Sequence, residues 1–394
     1  MENQFEYEAK LFLEKLQEQV YSFYNIPFIS QEREADALYV DDAFIIEWLK
    51  SRNTSYNKVA VENFKKEWEE IRIKSQADKT TKYEIAEWYS LLSDVVKEFE
   101  EVFKILSYKP PENYLFGTLP TNRVNGMAMK VPENPYKLVI LETGLFGFAN
   151  LMCKSIASSF IFKITENGML NFSTDVNECK NHINQNSIIV ERFFEVLVSY
   201  VVLGNPHHAK QYFLEENYTP LADLLRNGFE YFVFAHEFGH LIAGHLDSDI
   251  NAGYDIANSE TNEIITNWKQ EFEADFIGTN ILIHVMQRRG FDISLSYWGI
   301  EVFFGCIDAV EKTLSILKFG SIDMDTLSET HPPTLMRRER IRDVVSKSFD
   351  AETVKAIISI SKVMEEIIDY LWLKVEPKIY ELKQNDIKPS NHWL

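Results

Sequence analysis

Apolar residues recur at helical spacing through most of the chain. Trp88, Leu92, Val95, Phe99, Val102 and Leu106 trace one stripe, and Phe12, Leu16 and Val20 begin another. From Asp350 onward, Val354, Ile357, Ile358, Ile360, Val363, Ile367 and Leu371 predict one or two amphipathic helices folded back onto the rest. Phe229, Phe232, Val233 and His236 share a further helical face, and Pro220 suits the first turn of that helix, where its missing N–H leaves no bond unmade. Strand character is concentrated in Leu138 to Leu141, followed by a turn into helix at Gly144. Helices should therefore outnumber strands heavily, in an α+β fold with one small sheet. Lys109-Pro110-Pro111 breaks the pattern and divides a helical N-terminal region, 1–109, from a central domain, 115–345, with C-terminal helices over 346–394.

The central domain holds His236-Glu237-Phe238-Gly239-His240, an H-E-x-x-H pattern inside predicted helix. At 3.6 residues per turn the two histidines lie on one face, where both imidazoles can meet one tetrahedral zinc ion. Glu237 sits beside the first ligand, placed to take a proton from an activated water. His245 follows His240 by five residues, so a continuous helix would turn it roughly 140° away from the metal. The longer H-E-x-x-H-x-x-G-x-x-H pattern is not met, because the glycine and histidine after His240 fall at the wrong intervals.

A better third ligand lies in Gln270-Glu271-Phe272-Glu273-Ala274-Asp275-Phe276-Ile277-Gly278. Glu271 and Asp275 share a helix face, and Glu273 points elsewhere. Glu271 can bind the metal while Asp275 accepts a hydrogen bond from a ligand imidazole and fixes its orientation. Gly278, one turn further, lets this helix press against the first, and Gly239 and Gly244 permit close approach of another backbone or of substrate near the metal.

Taken together, these segments resemble the M48-type gluzincin peptidases. A third motif, Thr330-His331-Pro332-Pro333-Thr334-Leu335-Met336-Arg337, is similar to that family's H-P-x-T/L-x-x-R segment. The resemblance implies a zincin fold, with His236, His240 and Glu271 as zinc ligands, Glu237 as the base and Asp275 supporting a ligand. It implies that His331 and Arg337 donate to the oxyanion of a tetrahedral intermediate or brace the site. Pro332 and Pro333 suit a helix start. The alternative for Arg337 is membership of an exposed basic run with Arg338, Arg340 and Arg342. Asn125-Gly126-Met127-Ala128-Met129 is similar to the family's N-A-F segment, part of a small sheet whose edge pairs with extended substrate.

Composition narrows the partners. A net charge of -20 opposes binding to a phosphate backbone, so nucleic acid is not expected. Many proteins of the family are membrane-embedded, yet Leu138 to Phe162 and Ile188 to Leu203 are interrupted by charged residues, so membrane insertion is not expected. The start, Met1-Glu2-Asn3-Gln4-Phe5-Glu6, lacks a basic and apolar leader, and Cys153, Cys179 and Cys306 have no paired spacing; both fit a reducing cytoplasm. The expected activity is that of a zinc metalloendopeptidase acting on an intracellular protein or peptide. The alternative is a peptidase-like scaffold that keeps metal and acts by binding a partner.

Overall fold

In the computed structural model, residues 4–23, 42–51, 58–75, 79–164, 170–247, 268–322 and 332–393 are described; His331 and the rest of its segment before Pro332 lie outside them. Four helices come first, α1 (Gln4–Phe23), α2 (Asp42–Ser51), α3 (Lys58–Ser75) and α4 (Ala86–Ile105). A three-stranded sheet follows, β1 (Tyr114–Leu119), β2 (Gly126–Lys130) and β3 (Lys137–Glu142), and then α5 (Gly144–Ala157). A two-stranded ribbon, β4 (Phe162–Ile164) and β5 (Leu170–Phe172), leads into α6 (Val176–Gln185) and α7 (Ser187–Val201). The remainder is helical: α8 (Thr219–Ile242), α9 (Trp268–Arg288), the single turn α10 (Ile293–Ser296), α11 (Trp298–Phe319), α12 (Thr334–Ser348) and α13 (Ala351–Gln384). The fold is predominantly helical with a small mixed sheet, as the hydrophobic periodicity predicted.

The sheet has β3 at its centre, parallel to β1 and antiparallel to β2, which leaves β2 as an edge. Alternation along β3 sends Leu138 and Ile140 into a small core with Leu13, Leu16 and Val20 of α1, while Val139 and Leu141 enter the main core. That main core wraps α8. Phe234 and Phe238 of α8 pack on Phe99 of α4 with ring centroids 5.6 and 5.7 Å apart, so the stripe from Trp88 to Leu106 supports the motif helix directly.

Pro220 lies in the first turn of α8, whose body is almost wholly buried. Along the C-terminal tail, the periodic apolar face forms the single helix α13, with Ile367, Ile368 and Leu371 buried. Gly305 of α11 admits Ile368, whose Cδ1 lies 2.8 Å from where a β-carbon would stand. Among the described residues one stretch, Ile293–Phe319, is long and apolar enough to cross a membrane, and 78% of its most apolar window is buried inside the protein. The runs 138–162 and 188–203 form β3, α5, β4 and α7. Cys153, Cys179 and Cys306 are free and buried, and burial pushes all three thiols up.

Candidate metal centre

Two glycines bring α8 and α9 together. A β-carbon on Gly239 would stand 2.8 Å from the Ala274 carbonyl oxygen, and one on Gly278 would stand 2.8 Å from the His236 nitrogen. Each helix thus presses its backbone against the other at the level of the motif, which only glycine allows. The crossing delivers Glu271 to the histidines. His236 Nε2 and His240 Nε2 are 3.1 Å apart, and each lies 3.5 Å from a carboxylate oxygen of Glu271.

Those three separations are the fit test for a metal. Tetrahedral zinc with bonds of about 2.0–2.2 Å places neighbouring donors about 3.4 Å apart, close to the spacing of this trio. The donor set, two imidazoles and one carboxylate, is the one zinc takes in open sites. All three side chains are buried, with Glu271 at 0% exposure. The residues fit a divalent cation.

Hydrogen bonds behind the trio turn both Nε2 atoms inward. His236 Nδ1 lies 2.9 Å from Asp275 Oδ1, and Asp275 is itself gripped by Arg337, whose Nη2 and Nε donate over 2.7 and 2.9 Å. His240 Nδ1 lies 2.9 Å from His245 Nδ1, and His245 Nε2 lies 3.3 Å from Glu273 Oε2. One proton arrangement satisfies this second chain: His240 donates to His245, which donates to Glu273, leaving the His240 Nε2 lone pair free for a cation.

The electrostatics agree. Burial pulls the His236 pKa down, but hydrogen bonds and charge from Asp275 and Glu271 outweigh it and raise it to about 10. Burial and the neighbouring His236 push His240 well below the usual histidine range. Burial alone would raise Asp275, yet Arg337 and His236 hold it below the usual carboxylate range. The raised His236 pKa shows that Asp275 and Glu271 favour a positive charge on or beside this ring, a demand that a cation would meet in place of the proton.

Glu237 lies 6% exposed on the adjoining wall of a cleft of about 50 Å³ that also touches Asn125, Gly126, Phe232, His236 and Arg337. A β-carbon on Gly126 would stand 3.0 Å from Glu237 Cγ, so the edge strand β2 passes directly over the candidate base.

Five sequence candidates, His236, Glu237, His240, Glu271 and Asp275, come together with Arg337. That arginine is not part of an exposed run: Arg338 and Arg342 also turn inward, onto Glu365 and Glu301, and Arg340 alone of the four stays largely in solvent. Its contact is a brace on Asp275. Pro332 and Pro333 precede α12, which carries Arg337.

His245 was not legible as a partner. Helical continuation would turn it away, but α8 ends at Ile242 and Gly244 adopts a left-handed φ of 72°, folding His245 back in a 3₁₀ turn. Glycine after the helix was the available signal. Glu273, off the Glu271–Asp275 face as expected, is what His245 meets.

The fold and site thus define a helical α+β chain with a buried His-His-Glu group that could hold a metal ion, beside a sheet edge. Comparison with protein-family models, curated proteins and solved structures finds no match.

Proposed function

We propose that this chain is a zinc-dependent endopeptidase of the gluzincin type, acting on an intracellular protein. The observation that carries this reading is Glu237: a carboxylate adjoining three donors at tetrahedral spacing, on the wall of a cleft bounded by a sheet edge.

His236, His240 and Glu271 would hold the zinc, which when bound supplies Lewis-acid chemistry, acidifying water and polarising a carbonyl. Glu237 takes a proton from the attacking water and returns it to the departing amine nitrogen. Asp275 and Arg337 keep the His236 ring in register, a positioning role. The outer edge of β2 pairs with extended substrate and holds the scissile bond by backbone hydrogen bonds over Glu237. His331, just before α12, is the sequence-based candidate for stabilising the oxyanion. A scaffold that keeps metal only for folding has no use for Glu237, since structural zinc sites are closed by protein ligands.

Wild type and Glu237→Gln are to be compared for new N-termini in cellular protein, with bound zinc measured on both. Cleavage should fall by about 10² to 10⁴ while zinc is retained. Equal cleavage by the two proteins refutes an enzyme, and zinc retained in full by His236→Ala refutes the site.

A further inference from the structure

A second cavity, of about 470 Å³, opens between α4, α5 and α8, and is lined by Trp88, Phe146, Asn150, His207, Arg226 and Glu230. It is far larger than the cleft at Glu237 and within the range of small-molecule sites. Glu230 and Glu237 share one stripe of α8 at a seven-residue interval, so the two sites lie about 10 Å apart along the helix.

Glu230 is the unexplained group. It is 5% exposed, and its carboxyl makes no hydrogen bond or ion pair among the described residues. Arg226, one turn earlier, instead lies 3.4 Å from Asp223. Burying a carboxylate without a partner is costly, and burial duly raises this carboxyl to about 7 against the pull of Arg226. A cationic group entering the cavity would stabilise its ionised form.

The walls indicate what that is. Trp88 and Phe146, which stack on each other with centroids 5.0 Å apart and planes 20° from parallel, put an aromatic pair on the wall of the same cavity as the carboxyl. Carboxylate beside aromatic face is the chemistry that recognises an organic ammonium group. Arg226 and the Asn150 amide supply donors suited to a carboxylate. The cavity also shares Asn150 and Arg226 with an adjoining hollow of about 160 Å³ that reaches Lys154.

We propose that this cavity binds a free α-amino acid or dipeptide, its ammonium on Glu230 and its carboxylate on Arg226. The site is independent of the metal centre and does not require the chain to be a peptidase.

Titration calorimetry on the full chain with each of the twenty L-amino acids, and with Phe-Gly as the dipeptide, tests it. At least one probe should bind with a Kd below about 10 mM. For the tightest binder, analogues lacking the ammonium or the carboxylate should bind at least tenfold more weakly. Glu230→Gln and Arg226→Gln should each weaken it at least tenfold, while Glu237→Gln leaves it unchanged. If Glu230→Gln fails to fold by circular dichroism, Arg226→Gln and the two analogues carry the test. The proposal is overturned if no probe binds, if the amine alone binds as well as the amino acid, or if chelating the metal abolishes binding that Glu230→Gln leaves intact.

Discussion

Asp275→Asn isolates the support behind His236. Asp275 Oδ1 meets both His236 Nδ1, at 2.9 Å, and Arg337 Nη2, at 2.7 Å, while Oδ2 accepts from Arg337 Nε at 2.9 Å. An asparagine has one acceptor for these three donors. In one orientation its NH₂ faces Arg337 Nε–H, and in the other it faces His236 and Arg337 Nη2, so a donor meets a donor either way. The carboxylate charge is lost as well, beside a guanidinium whose side chain is 13% exposed. Breaking a buried pair from one side costs about 3 kcal/mol or more, and the imidazole loses the contact that selects its tautomer. Zinc affinity should fall about 10- to 100-fold, or about 1.4 to 2.7 kcal/mol. Competition with a chromophoric chelator measures that, and urea unfolding measures the stability. Arg337→Gln, which leaves the His236–Asp275 contact in place, should lower stability with a smaller loss of affinity. Zinc affinity within twofold of wild type in Asp275→Asn would show that the contact does not support the ligand.

Three further expectations follow from the packing. Gly278→Ala places a methyl 2.8 Å from the His236 nitrogen, a backbone atom that cannot rotate aside; unfolding should be easier by about 1–3 kcal/mol with weaker zinc binding, and an unchanged denaturation midpoint would count against the close crossing. His245→Ala removes the partner of His240 Nδ1 and should lower zinc affinity about tenfold with the melting temperature down; a variant indistinguishable from wild type in chelator competition would remove His245 from the site. Glu230 has a folded pKa of about 7 against an ordinary 4.5, so its contribution to stability is complete below pH 4.5 and is lost as pH rises to 7, worth about 3 kcal/mol. Glu230→Gln should therefore be more stable than wild type above pH 7, and matching pH–stability profiles for the two proteins would show that the carboxyl is not held in a dry site.

What could be read from the chain and what could not divides along sequence distance. His236, Glu237 and His240 are set by one helix, and Glu271, Asp275 and Gly278 by another, so 3.6-residue periodicity alone sorts their faces. The pairing of the two helices was readable too, because Gly239 stands next to His240 and Gly278 one turn beyond Asp275, and each leaves room for the other backbone. Arg337 was placed at the site by resemblance alone and its partner could not be read, since periodicity in α12 says which residues share a face but not that Asp275, 62 residues earlier, waits opposite. His245 was misdirected by assuming that a helix continues, when a single left-handed glycine redirects the chain by more than any apolar pattern records. Glu230 lies two turns before Glu237 on the same helix and gave no signal, because its environment comes from α4, α5 and the turn at His207, each of which reads as ordinary core or loop. Local rules thus place the donors, while the groups that hold or use them depend on what folds back against them. For that reason the supporting contacts, Arg337 on Asp275 and His245 on His240, are the sharper test of the metal centre: chance can set two histidines one turn apart, but it does not also orient both rings with separate partners so that each Nε2 faces the same carboxylate.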